Sequence, residues 1–188
     1  MSRELLHGGP LKRATGMRPS HWFIWHAHLI RPGGRVIDLA CGEGRHSLAA
    51  AALGAKVVAV DRDPAMLGLG RARAAAAGLS IEWRDLDLEG EWPDLGLFDV
   101  VLVFNYLARA SMPRILRLVA PGGLLIMETF LQAQREAGWG PTSDAHLLRP
   151  GELARLVAPL KILHGREAVE PVDADRWRAV ASVVAQRR

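Results

Sequence analysis

The chain is poor in the residues that mark several protein classes. It has one cysteine, Cys41, in 188 residues. No internal disulfide can form, and nothing in its cysteine usage speaks for a secreted framework. No apolar run approaches the ~18 residues of a membrane-spanning helix. The opening residues, MSRELLHGGPLKR, lack the apolar stretch of a secretory signal, so a cytoplasmic location is the expectation. Lysine is scarce, with only Lys12, Lys56 and Lys161. The formal net charge of +4 rests on scattered arginines. With no basic run and no basic stripe interleaved with aromatics, the charge argues against a nucleic-acid partner. No internal repeat or low-complexity linker is present.

What is there suits one α/β domain. Apolar residues make up 49% of the chain, enough for a sizeable core at this length. Short apolar runs alternate with helical stretches. Residues 35–40 (RVIDLA), 56–60, 80–84, 98–104 and 123–129 read as buried strands. Helices are expected at 45–53, from the Asp63-Pro64 start to about Ala77, from Ser111-Pro113 to the Pro121-Gly122-Gly123 turn, and at 151–158. Residues 20–30 read as a helix capped by Ser20, with Trp22, Trp25 and Leu29 on one face. Segment 131–149 is expected to be a loop acting as a lid. The closing strands, near 160–168 and 177–186, have no helix between them and should pair as an antiparallel hairpin at the sheet edge.

The expected fold is therefore α/β: a Rossmann-like, doubly wound sheet of mostly parallel strands with an antiparallel C-terminal edge hairpin. The chain divides into an N-terminal helical cap segment, 1–33, a binding core, 34–130, and a lid, helix and hairpin, 131–188, all within one domain.

Open parallel sheets bind ligands beyond the carboxyl ends of their strands, so the residues there carry the functional reading. The first strand ends in Asp38-Leu39-Ala40-Cys41-Gly42-Glu43-Gly44-Arg45-His46. Gly42 and Gly44 allow a tight turn and close approach of a ligand. Ser47 stands where a dinucleotide fingerprint has its third glycine. Asp38 and Glu43 would repel a pyrophosphate and attract a cationic amine. That charge pattern favours S-adenosylmethionine, which carries an ammonium and a sulfonium and no phosphate, over NAD. Asp61 follows the second strand, where a carboxylate can accept both hydroxyls of a ribose. After the third, Asp85 is the expected acceptor for an adenine amino group, with Leu86 packed on the ring and Asp87 a solvated loop charge. After the fourth, Asn105 and Tyr106 stand where an acceptor should enter.

Together, VIDLACGEGRH, VVAVDRDPAML, WRDLDLEG, FDVVLVFNYLAR and LVAPGGLLIMETF resemble the class I S-adenosylmethionine-dependent methyltransferases. Within them the chain is similar to the small bacterial methyltransferases related to tellurite-resistance proteins. The resemblance implies a seven-stranded sheet. It also implies an adenosine-contacting acid, here Asp61, and a glycine-rich first loop, here Gly42 and Gly44. With the strand-end reading, the expected cofactor contacts are Asp38, Ala40, Cys41, Gly42, Glu43 and Gly44, then Asp61 and Arg62, Asp85 and Leu86, and Asn105. The Asn/Asp-Pro-Pro-Tyr/Phe motif of enzymes that methylate nucleic-acid amines is absent, since Asn105-Tyr106 has no prolines between. The acceptor is expected to be a small molecule. Candidates to handle it are Asn105, Tyr106, His26, His146 and Arg149, with His21 and His28 beside His26. The i, i+2 spacing of His26 and His28 does not place both on one helical face, so no metal is expected. Cys41 is expected to be structural, since Asp38 and Glu43 would raise its pKa. The competing readings are an NAD-dependent oxidoreductase, an RNA methyltransferase and a non-catalytic binding module.

Overall fold

The computed structural model describes residues 18–188. The part of the expected cap segment up to residue 17 lies outside them. Seven strands, β1 (Arg35–Leu39), β2 (Lys56–Asp61), β3 (Ile81–Asp85), β4 (Phe98–Phe104), β5 (Val119–Phe130), β6 (Lys161–Pro171) and β7 (Trp177–Gln186), form one sheet in the order β3-β2-β1-β4-β5-β7-β6. Strands β1 to β5 pair in parallel. Strand β7 runs antiparallel to both β5 and β6, the edge hairpin read from the missing helix. The chain winds outward from β1 to β3 and then returns to place β4 on the other side of β1. The switch point therefore lies between the ends of β1 and β4.

Alternation along the strands fills both faces of the sheet. In β4, Val100, Leu102 and Phe104 face a core with Trp22, Phe23, Ala49 and Ala50. Val101 and Val103 face the opposite core with Met112, Ile115 and Leu125. Phe98 lies in that second core despite sharing parity with Val100, because the register with β5 shifts between them. Burial of each such side chain contributes roughly 1.5–3 kcal/mol.

Among the described residues the α-helices are α1 (His21–His26), α2 (Arg45–Ala52), α3 (Pro64–Ala76), α4 (Met112–Arg117) and α5 (Glu152–Leu156). The Ser20 hydroxyl caps α1 by accepting the Phe23 N–H at 3.0 Å. Asp63 caps α3 by accepting from Ala65 and Met66, with Pro64 at the first position. The buried stripe of α1 differs from the expected one. The helix tightens into a 3-10 turn at Ala27–Leu29, the buried residues include Trp22, Phe23 and His26, and Trp25 is 45% exposed.

A second difference lies before β5. Helix α4 stops at Arg117, and β5 starts at Val119, ahead of the Pro121-Gly122-Gly123 turn expected to separate them. The sheet captures this stretch early. Phe98 N–H donates to the Leu118 carbonyl at 2.8 Å, and Val119 pairs with Phe98. The glycine pair is tied to the tail after β7 by hydrogen bonds between Gly122 and Arg187 and between Arg187 and Gly123.

Trp83 on β3 wedges between two glycines. A Cβ on Gly44 or on Gly70 of α3 would approach its indole to 2.4 Å. Contact at that distance is far inside van der Waals range, so the helix and the loop after β1 close onto the ring only because neither carries a side chain there.

Segment 131–149 holds two 3-10 turns, Gln132–Ala137 and Asp144–His146. Arg109 clasps the second. Its guanidinium donates to the carbonyls of Asp144, Ala145 and Leu147 and pairs with Glu152 at 2.6 Å. That pairing holds the Glu152 carboxyl down at about 2.

Candidate active site

A cavity of about 330 Å³ opens beyond the carboxyl ends of β1, β2, β3 and β4. Each strand end contributes to its wall: Ala40, then Asp61 and Arg62, then Leu86 and Asp87, then Asn105 and Tyr106. Phe130, at the end of β5, and His146, from the second 3-10 turn, close it. Ala40 and Asn105 hold left-handed backbone, with φ of 53° and 57°. Such conformations cost energy for residues with a Cβ and concentrate at functional sites.

Asp61 organises the loop after β1. Its Oδ2 accepts the Gly42 N–H at 2.7 Å, and its Oδ1 accepts the Asp63 N–H at 3.0 Å. Each carboxylate oxygen keeps a lone pair free for a ligand hydroxyl. The same bond bears on the ligand's class. A pyrophosphate at a glycine-rich turn is held by the turn's free amides. Here the Cys41 N–H goes to the Val60 carbonyl, the Gly42 N–H to Asp61 and the Gly44 N–H to the Cys41 carbonyl.

The two carboxylates from which the sequence drew its charge argument are placed differently. Glu43 pairs with Arg73 of α3, so its charge is turned to a helix, away from the cavity wall. Asp38 is buried and accepts a 2.5 Å hydrogen bond from the Ser47 hydroxyl, and burial raises its pKa to about 7. Three of the turn's amides are thus taken, and neither Asp38 nor Glu43 presents a free charge to the cavity. Cys41 is buried, and burial, reinforced by Asp38 and Asp61, pushes its thiol far above the ordinary range.

Of the other expected contacts, Leu86 and Arg62 line the cavity, while the exposed Asp85 does not. Asp85 still belongs to β3 and pairs with Asp61 in register. The chain must pass it and anchor Leu86 N–H on the Asp61 carbonyl, at 3.0 Å, before a side chain turns inward. Asp87 takes the position in the wall that Asp85 was expected to hold. The Tyr106 hydroxyl is buried without a well-formed hydrogen bond among the described residues. The Ser111 hydroxyl near it donates to the Leu88 carbonyl at 2.7 Å. Burial, with Glu89 and Asp87 nearby, raises the Tyr106 pKa.

His26 and Arg149 leave the set of acceptor candidates that share this wall. The His26 ring is buried against Trp22, with Nδ1 2.8 Å from the Trp22 carbonyl, and packs on His164 of β6. The exposed Arg149 lends its backbone N–H to Glu152. His28 is exposed and sits on the Trp25 carbonyl.

A second cavity, of about 320 Å³, shares Asn105 and Phe130 with the first and continues past His21, Arg45, Trp139 and Arg178. Sequence reasoning missed Arg45, Trp139 and Arg178, which come together only through the pairing of β5 with β7 and the turn into α2. It also missed His46. That ring is fully buried, stacks on Phe104 at 3.9 Å and accepts the Ser20 N–H at 3.1 Å, tying α1 to α2. Burial, then Arg45 and Arg178, push its pKa well down.

Residues 36–123 match the model of a methyltransferase domain family. The chain is 32% identical over 165 residues to a protein-L-isoaspartate O-methyltransferase from Methylorubrum populi, covering 78% of this chain and 77% of the relative. The chain belongs to the S-adenosylmethionine-dependent methyltransferases. It is also 28% identical to a ubiquinone biosynthesis O-methyltransferase from Xanthomonas campestris pv. campestris, over 95% of this chain and 74% of the relative. Its fold is similar to that of TehB from Haemophilus influenzae, with a TM-score of 0.79 at 17% identity over 95% of this chain. The chain spans 66% of that protein's length. The enzyme is thus a class I methyltransferase whose cofactor is S-adenosylmethionine, and its sheet order and antiparallel β7 are those of the fold. Among the described residues, no helix is long and apolar enough to cross a membrane.

Proposed function

We propose that the enzyme transfers the methyl group of S-adenosylmethionine to a small-molecule acceptor by direct in-line displacement. The observation that carries this reading is the pair of adjoining cavities with a common wall at Asn105 and Phe130. The first suits the cofactor and the second an acceptor of modest size.

The residues in the first cavity fit the cofactor. Asp61 has lone pairs for the two ribose hydroxyls, Asp87 can accept from the adenine amino group, and Leu86 offers an apolar face to the ring. Gly42 and Gly44, both at positive φ, let the backbone after β1 come close to the methionine part, with Ala40 and Asn105 beside it. When bound, S-adenosylmethionine supplies an electrophilic methyl whose departure leaves a neutral thioether, so no covalent enzyme intermediate is required. The chain's own contribution is to hold the acceptor in line and to exclude water, which accounts for much of the rate in such transfers. An acceptor that must lose a proton also needs a base. His146 in the first cavity and His21 in the second carry imidazoles suited to that task. Segment 131–149 supplies His146 and Trp139 and serves as the cover of both cavities within a single catalytic domain.

Calorimetric titration with S-adenosylhomocysteine, beside Asp61→Ala and an NAD control, tests the cofactor part. Micromolar binding lost in the variant, with NAD silent, is expected. A turnover screen of small acids, phenols and amines against isoaspartyl peptides tests the acceptor part. Methylation of peptides alone would sink the small-molecule reading.

A further inference from the structure

We propose that the second cavity grips its acceptor by a carboxylate held by Arg45, so that the enzyme acts on small organic acids. The proposal rests on the small-acceptor reading above and adds the acceptor's charge.

The charges in that cavity are unequally satisfied. Among the described residues, Arg45, Arg178 and Arg18 contribute to its wall against a single carboxylate, Glu170. Glu170 is neutralised by ion pairs to Arg178 and to Arg166, the latter at 2.8 Å. Arg178 also pairs with the fully buried Glu128 at 3.1 Å, and Glu128 accepts from the Ser182 hydroxyl at 2.9 Å. Arg178 is therefore satisfied by the protein. Arg45 is not. It is half-buried at the start of α2, and its guanidinium forms neither a hydrogen bond nor an ion pair with any described residue. Asp38 and Glu128 are the carboxylates whose fields reach it, and Arg178 adds a like charge. Asp38 offers little compensation, because its carboxyl is buried, bonded to Ser47 and titrates near pH 7.

A half-buried guanidinium with no partner, beside a second guanidinium, is costly unless something anionic completes it. Arginine's planar fork matches a carboxylate, with two parallel hydrogen bonds. The remaining wall suits the rest of such a molecule. Phe130 and Trp139 meet edge to face, with centroids 6.1 Å apart and planes at 88°, and form an apolar corner against which a flat body can pack. Asn105 and Phe130, shared with the first cavity, put that body next to the transferable methyl.

The carboxylate could instead come from the methionine end of the cofactor, and the test separates the two sources. The probes are benzoate and its neutral isostere benzamide, titrated into the protein saturated with S-adenosylhomocysteine. Wild type should prefer benzoate by about 10- to 100-fold, the range of a charged hydrogen bond. Arg45→Met should lose that preference, and Arg45→Lys should keep part of it. In both variants the affinity for S-adenosylhomocysteine should stay within about 3-fold, since a group that does not touch a ligand changes its binding little. Equal binding of the two probes to wild type, or binding of neither, would overturn the proposal. So would an Arg45→Met variant that loses S-adenosylhomocysteine affinity while still binding 5′-methylthioadenosine, which has no carboxylate. Failure of wild type to bind S-adenosylhomocysteine would instead remove the cofactor reading, and this proposal with it.

Discussion

The carboxylate of Asp61 and the backbone N–H of Gly42 are joined by a 2.7 Å hydrogen bond. One side chain thus shapes the loop after β1 while presenting itself to the cavity. Asp61→Ala removes both the ribose acceptor and the loop's anchor and should weaken S-adenosylhomocysteine binding by about 100-fold or more. Asp61→Asn keeps one acceptor oxygen and should lose about 10-fold, in line with hydrogen bonds to a charged group of about 1.5–3 kcal/mol. Calorimetry on the two variants checks the order. Equal affinity in wild type and Asp61→Ala would remove Asp61 from the site.

Asp38 should give the enzyme an unusual pH profile. Its pKa is raised by burial from 3.8 to about 7. Between those values the folded protein keeps a proton that the unfolded chain releases. The stability from this group is therefore full below about pH 4 and is lost as pH rises through about 7. Asp38→Asn cannot ionise. Its stability relative to wild type should improve between pH 5 and pH 8 in urea unfolding. A constant difference across that range would refute the assignment.

His46 acts with the opposite sign. Its folded pKa lies well below 6.5, so the unfolded chain takes up a proton first as pH falls. Stability from neutral His46 is present above about 6.5 and declines below it. His46→Gln retains an acceptor for the Ser20 N–H and should flatten the acid limb of the unfolding profile between pH 6.5 and 5. An unchanged limb would show that other groups set it.

Arg109 joins Glu152 to three carbonyls in 144–147. Arg109→Met should speed amide hydrogen exchange in 144–148 and lower stability by about 1–3 kcal/mol. Because His146 closes the first cavity, the KM for S-adenosylmethionine should rise as well. Unaltered exchange in that segment would mean the clasp does not hold it.

The sequence made the sheet legible because buried parallel strands are short apolar runs closed by turn residues, and β4 lies at its expected 98–104. The ends of elements were harder to read. Pro121-Gly122-Gly123 looks like a boundary, yet the ladder with Phe98 draws residues 119–123 into β5. For the candidate site, position along the chain gave the right strand ends but not which side chain turns inward. Asp85 and Asp87 differ only in whether the ladder with β2 has ended. Arg45, Arg178 and Trp139 are far apart in sequence and meet through the edge hairpin, so no local pattern could group them.

Trp83 also sets which substitutions related chains can share. Position 44 must stay glycine on two grounds, its φ of +75° and the indole. Position 70 answers to the indole, and to the Glu43 carbonyl at 3.1 Å from its would-be Cβ. A lineage that replaces Trp83 with a smaller residue is relieved of the indole in α3, where an alanine then needs the Glu43 carbonyl to give by only a few tenths of an ångström, while the loop keeps its φ requirement. Residues 70 and 83 should drift as a linked pair while 44 stays still.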